Sequence, residues 1–323
     1  MAVYSRLGAA ERFALAEYAG PHAWAEPLKV AAVRWMSRWL CQKNDIVIPP
    51  ETETGLTPGE VNVTAAGQVM KLAGARSVYD IMRDEAARLA TARGTVDSSR
   101  LRSSVRRLAG IRELKAIPVP SAEYRSTDAC AGGTVRRVAL MQVDGIAVPA
   151  WFFKPEHDVG APPVLVIDGF GKTNATRAVA ARMREGRSVL AVDLCGFGET
   201  YGTNHAFYGA KNCDEGTAML AYLLGHSLVG LRAEEVLACA RWLAAACDSP
   251  KIELQAFNWA VTPALHAAVA EPQLFEKVCV SDAPLAWESV VAEGERHRFS
   301  DLVHGALRAY TSADLFKNVA ALR

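Results

Sequence analysis

The segment Lys251-Ile-Glu-Leu-Gln-Ala-Phe-Asn-Trp-Ala260, running on through Val261-Thr-Pro-Ala-Leu-His-Ala-Ala268, constrains the fold more than any other. It reads as a short strand that turns at once into a helix. A strand and a helix joined so tightly touch beside the turn, so the residues two places either side of its tip must be small. Ala256 and Ala260 meet that requirement, with Asn258 between them. The tip of such a turn is strained and often has positive φ, a region that Asn tolerates best among non-glycine residues. A carboxamide also has no hydroxyl for a histidine to activate, which excludes serine-type acyl transfer at position 258.

Around this turn the second half of the chain alternates strands and helices. Thr134 to Val143 and Ile146 to Phe153 form a hairpin across Asp144-Gly145. Val164 to Asp168 and Val189 to Asp193 are continuous apolar strands, Leu231 to Ala246 is a helix, and Ile252 to Gln255 and Lys277 to Ser281 are further strands. A hairpin followed by alternation predicts an α/β fold, a mostly parallel sheet with helices on both faces.

The first half is less regular. A helical start (Tyr4 to Arg12), a short strand (Phe13 to Tyr18) and a loop reaching His22 lead into an amphipathic helix carrying Leu28, Val33, Trp35, Met36, Trp39 and Leu40, one face of which should be buried. From Asn44 to Gly67 the chain is rich in Pro, Thr, Glu and Gly, reading as a linker that ends in a short strand, Val61 to Thr64. Two Arg-rich helical patterns follow over 77–93 and 97–109. The expected division is 1–48, a linker and helical connector over 49–133, and the α/β domain over 134–323. In the second helix Arg100, Arg102, Arg106 and Arg107 cluster; a solvated helix face explains them, with a polyanion contact as the alternative.

Composition removes several function classes. Of the 323 residues 50% are hydrophobic, enough for a large core, and the formal net charge of +1 suggests no nucleic-acid partner. No apolar run reaches membrane-spanning length and the N-terminus lacks a signal-peptide core, so localisation defaults to the cytoplasm and no membrane partner is expected. Seven cysteines without C-x-x-C spacing argue against a disulfide framework, and no His, Cys or carboxylate grouping has metal-ligand spacing. Cys195, just past a strand end, reads as structural, with a reactive thiol as the alternative.

The stretches Val-Leu-Val-Ile-Asp-Gly-Phe-Gly-Lys172, Val-Leu-Ala-Val-Asp-Leu-Cys-Gly-Phe-Gly-Glu-Thr200, Leu-Val-Gly-Leu-Arg-Ala-Glu-Glu-Val236, Pro-Ala-Leu-His-Ala-Ala268 and Val-His-Gly-Ala-Leu-Arg308 resemble the α/β-hydrolase superfamily. Within it they look like the second domain of tandem bacterial proteins related to acetyl xylan esterases. In such second domains the G-x-S-x-G elbow often lacks its serine, which agrees with Asn258. The N-terminal piece resembles the end of a preceding hydrolase domain, which would make His22 the triad base of that upstream domain. By this resemblance the chain begins late in one hydrolase domain and stops before completing the next. In an alternative, circularly permuted reading, residues 1–42 supply the missing strand and helix of the second domain. The resemblance implies carboxylic ester hydrolysis on acylated carbohydrate, with an intact hydrolase domain supplying the chemistry in cis or in trans; the alternative is a non-catalytic domain that scaffolds a partner or binds glycan.

Other positions carry weaker signals. Ser227, in Gly225-His-Ser-Leu-Val-Gly230, resembles a lipase signature, but the second glycine comes late and no strand precedes it, so a loop or helix-cap serine is the competing reading. Gly169, Phe170 and Gly171 follow an apolar strand where oxyanion-hole amides would lie. Gly169-x-Gly171-x-x-Asn174 with Asp193 also resembles a degraded dinucleotide fingerprint lacking its third glycine, and no cofactor is expected. Asp282 stands where a triad acid can occur, against a capping role. His266 and His304 read as packing histidines, and His297, between two arginines, as exposed.

Overall fold

A computed structural model describes residues 2–48, 55–143, 145–202, 215–281, 285–294 and 299–319, arranged as two compact units, Met1–Ala73 and Gly74–Arg323. The boundary therefore falls inside the expected connector, and the two Arg-rich helices belong to the larger unit.

The first unit holds helices α1 (Ala2–Arg6), α2 (Glu26–Leu40) and α3 (Pro58–Val61). Two expectations fail here. Phe13 to Tyr18 pairs with no other strand, and Val61 to Thr64 is not a strand. Thr57-Pro-Gly-Glu60 instead starts a helical turn, because the Glu60 carboxylate accepts from the Thr57 amide at 2.7 Å while Pro58 opens the turn. Helix α2 forms as expected, but none of its residues is buried; Trp35 and Trp39 pack on each other at 5.8 Å, with the Arg12 and Arg38 guanidinium groups over Trp39.

The second unit is built on a seven-stranded sheet: β1 (Ser121–Cys130), β2 (Gly133–Met141), β3 (Ala147–Pro155), β4 (Val164–Asp168), β5 (Val189–Val192), β6 (Ile252–Phe257) and β7 (Phe275–Val280), in the order β1-β2-β3-β5-β4-β6-β7. β1, β2 and β3 pair antiparallel, and β5, β4, β6 and β7 run parallel. The hairpin, both apolar strands and the elbow strand appear where the sequence places them, Asp144 of the hairpin turn lying outside the described residues. β1 has no apolar alternation because it is an exposed, charged edge strand.

The helices of this unit are α4 (Val78–Arg93), α5 (Ser98–Ala109), α6 (Thr176–Arg184), α7 (Glu215–Leu223), α8 (Leu228–Ala246), α9 (Val261–Ala270), α10 (Trp287–Glu293) and α11 (Ser312–Val319). Every side chain of Val164–Ile167 and Val189–Val192 is fully buried, as strands covered on both faces require. One face packs against α5, α8 and α9 in the main core, and the other against α6 through Ala175, Val179 and Met183.

Of the arginine cluster of α5, Arg100, Arg102 and Arg107 are exposed, as a solvated helix face requires, while Arg102 and Arg106 also reach α9. Arg102 donates to Val269 O at 3.4 Å, and Arg106 to Ala270 O at 3.3 Å and to the Glu271 carboxylate, so two cations close the C-terminus of α9, where carbonyls lack helical partners and the dipole is negative. Behind α9, buried His266 joins Trp287 and Tyr310 in an aromatic cluster with centroids 5.8–6.0 Å apart. Its Nδ1–H donates to Thr262 O (2.7 Å), a carbonyl that can only accept, which leaves Nε2 to accept from the Tyr310 hydroxyl (3.2 Å).

Two measurable consequences follow from this packing. A Cβ at Gly230, in the first turn of α8, would be driven into the Ala109 carbonyl oxygen at the end of α5. Alanine is the better helix former by about 1 kcal/mol, but a backbone clash costs about 1–3 kcal/mol. Gly230→Ala should therefore lower the urea midpoint, and a raised midpoint would show that α5 and α8 are not packed this closely. Burial pushes the His266 pKa down from 6.5 to about 4, so the unfolded chain takes the proton first. The stability this neutral ring contributes is present above pH 6.5 and lost as the pH falls toward 4, by about 3 kcal/mol at about 1.4 kcal/mol per pH unit. His266→Gln should flatten that part of the stability profile; an unchanged slope would show that another group titrates there.

Candidate functional site

The turn between β6 and α9 has the geometry its sequence anticipates. Asn258 sits at its tip with φ +54°, and Ala256 and Ala260 on either side are fully buried. The fit is tight from the neighbouring strand as well: a Cβ at Gly169, just after β4, would approach the Trp259 backbone nitrogen within 2.5 Å. Only glycine allows the end of β4 to lie this close to the elbow.

The Asn258 side chain turns inward. Its Nδ2 donates to both carboxylate oxygens of Asp168, at 3.1 and 3.2 Å. Asp168 ends β4, is 3% exposed, and also accepts from the Phe170 amide at 2.8 Å and from Asn174 Nδ2 at 2.7 Å. A buried carboxylate is costly unless its lone pairs are satisfied, and here amide donors from three residues satisfy them.

The three amides of the loop after β4 that the sequence offers for an oxyanion hole are consumed by the same arrangement. Gly169 N donates to Phe257 O (3.1 Å), continuing the β4–β6 ladder; Gly171 N donates to Asp168 O (2.9 Å), closing a turn; Phe170 N goes to the Asp168 side chain. To stabilise a substrate oxygen these groups would have to give up bonds already formed. The Phe170 ring lies across Trp259 at a centroid distance of 4.4 Å, placing two aromatic rings at the tip.

Alongside, a second network ties the loop after β4 to the loop after β5. Lys172 is 1% exposed; its Nζ donates to Asp193 Oδ2 at 2.6 Å and to Glu199, and lies 5.3 Å from the centre of the Trp151 ring. Asp193 also accepts from the Lys172 amide (2.6 Å) and the Glu199 amide (2.9 Å). Thus the two polar residues of the dinucleotide-like pattern, Asp193 and Asn174, hold Lys172 and Asp168. Gly198 is required here, having φ +48° and no room for a Cβ beside the Asp193 carboxylate. From the far side α8 reaches the same loop: Arg232 Nε donates to Cys195 O (2.9 Å), its guanidinium stacks 4.2 Å over Phe197, and Glu235 accepts from Cys195 N (2.7 Å). Burial and the Glu235 charge push the Cys195 thiol up to about 12, which removes the thiolate that a reactive cysteine needs.

The remaining sequence candidates are dispersed. Ser227 caps α8, accepting from Gly230 N and donating to Ala109 O, both at 2.9 Å, with an extended φ of −119° unlike that of an elbow. His266 is held in the core, and His304 packs edge-on to Tyr222 at 4.9 Å. His22 lies in an exposed bend of the first unit. Asp282 and His297 fall outside the described residues. Among the described residues no histidine hydrogen-bonds Asn258 or Ser227, and no three His, Cys, Asp or Glu side chains are grouped to hold a metal. No described helix is long and apolar enough to cross a membrane. Sequence reading missed Asp168 and Lys172 as polar centres of the site. The available signal was a charged residue closing a wholly apolar strand, followed by a second one three places after the first glycine.

No protein-family model matches the chain, and no curated protein matches its sequence. Solved structures do. A candidate acetyl xylan esterase of Bacteroides fragilis superposes with a TM-score of 0.62 at 14% identity, over 82% of this chain and 78% of that one. The methylesterase BT1017 gives 0.49 at 17% identity, over 76% and 54%, and acetyl xylan esterase 1 of Thermoanaerobacterium sp. JW/SL YS485 gives 0.41 at 16%, over 72% and 80%. The superposition on the first of these, the sheet order and the strand–elbow–helix geometry agree: the chain has an α/β-hydrolase-like fold, similar to that of this candidate acetyl xylan esterase.

Proposed function

We propose that this chain is a non-hydrolytic module of a carbohydrate esterase system, which engages acylated carbohydrate without cleaving it while an intact hydrolase domain, in cis or in trans, performs the chemistry. One observation carries the reading: the residue at the tip of the elbow is an asparagine whose carboxamide is bonded to a buried carboxylate. Nucleophilic catalysis at that position requires a hydroxyl or thiol that a base can activate, or a carboxylate, and a carboxamide supplies none of these. The carbohydrate part of the reading leans on the fold, which is shared with a candidate acetyl xylan esterase.

In this reading Asn258 serves conformation. It is one of three described non-glycine residues with positive φ, and it holds the ends of β4 and β6 together through Asp168. The purified chain should neither take up a fluorophosphonate label nor release p-nitrophenol from p-nitrophenyl acetate above the buffer rate. Labelling that disappears in Ser227→Ala would overturn the non-hydrolytic reading. Calorimetric titration with acetylated xylo-oligosaccharides should show saturable heat, and no heat would remove the carbohydrate part.

Replacing Asn258 separates its two tasks. Asn258→Ala loses the bonds to Asp168 and places an alanine at positive φ, at about 1–2 kcal/mol for the backbone and about 1.5–3 kcal/mol for a hydrogen bond to a charged group. Asn258→Gly loses only the bond. Chemical denaturation should rank stability as wild type, then Gly, then Ala. If Ala is as stable as wild type, Asn258 is not a structural keystone.

A further inference from the structure

Helix α7, the start of α8 and the segment 299–304 border a half-open cavity of about 320 Å³, lined without any residue of the elbow network. That volume is at the small end for ligand pockets, which run from about 300 to 1,000 Å³. Met219, Tyr222, Phe299 and Val303 give it apolar walls, and His226 and His304 line it with imidazoles. Met219, Tyr222 and Phe299 remain 43%, 48% and 46% exposed, so their apolar surface is open to a ligand entering from solvent. Tyr222 and His304 already stand edge to face at 4.9 Å, an arrangement that accepts a further ring.

The polar groups of the cavity wall are few and can donate hydrogen bonds. Among the described residues two imidazoles and no carboxylate line it, and the wall at Ser227–Leu228 is the N-terminus of the 19-residue helix α8, the positive end of its dipole. The Ser227 hydroxyl, spent on Ala109 O and Gly230 N, adds no acceptor that would favour a cation. We propose that this cavity binds a small aromatic carboxylic acid, its ring against Tyr222 and Phe299 and its carboxylate toward His226 and His304. The site is independent of the non-hydrolytic reading of the elbow, since neither Asn258 nor Asp168 lines it.

Isothermal titration of the whole chain with 3-phenylpropionate tests this, with the uncharged 3-phenylpropan-1-ol as the comparison for charge. The acid should bind saturably and the alcohol about tenfold more weakly, the factor expected when one charge-assisted hydrogen bond is lost. Met219→Trp, which fills the cavity from an exposed position, should abolish binding of both. The paired substitution His226→Gln, His304→Gln should weaken the acid about tenfold and leave the alcohol unchanged. Absence of saturable heat with the acid, equal affinity for acid and alcohol, or unchanged acid binding in either variant would overturn the proposal.

Discussion

The hydrogen-bonded contact between Asn258 and Asp168 is what the rest of the site is arranged around. It joins the ends of two neighbouring parallel strands, β4 and β6, at the point where one leaves through a glycine-rich loop and the other through a left-handed turn. Each half depends on the other. The carboxylate is tolerable in the core because amides surround it, and the strained φ of Asn258 is tolerable because its side chain gains a charged partner. Ala256, Ala260 and Gly169 are small for the same reason: the two strand ends and the first turn of α9 meet with no space for side chains.

This arrangement inverts the logic of a hydrolase elbow. There, strain presents a nucleophile outward, and nearby amides are left open for an oxygen that acquires charge in the transition state. Here a resident side chain, Asp168, takes the Phe170 amide and the elbow side chain itself. An ester oxygen arriving at the same place would have to compete with a charged acceptor already desolvated and bonded. Charge-assisted bonds are roughly twice as strong as neutral ones, so that competition favours the resident carboxylate.

Much of the architecture was legible in the chain because it rests on local patterns. Continuous apolar runs mark β4 and β5, the Asp-Gly turn marks the β2–β3 hairpin, and small residues flanking a central Asn mark the elbow. What was not legible rests on distant partners or on the absence of a pattern. β1 is a polar edge strand whose only signal is its pairing with β2. The Thr57–Glu60 capping box competes with a β-branched run and prevails. Nothing near position 258 in sequence announces that its partner is ninety residues away. The arginines of α5 do form a largely solvated face, but the carbonyls that two of them also close, at the end of α9, lie on another element and leave no local signal.

The loops beside the elbow carry the same principle one layer further. Lys172 is almost wholly withdrawn from water, an arrangement that survives only if its charge is matched, and Asp193 and Glu199 match it while Trp151 offers its ring face. Because Asp193 also accepts two backbone amides, the lysine, the carboxylate and both loops form one unit: displacing any member leaves a charge buried without its partner. Arg232 and Glu235 grip the β5 loop from α8 in the same manner. The segments that a catalytic hydrolase arranges around its substrate are therefore held here by internal polar contacts made on every side. Such contacts favour one fixed conformation of the elbow, with the loop amides after β4 already bonded inside the protein.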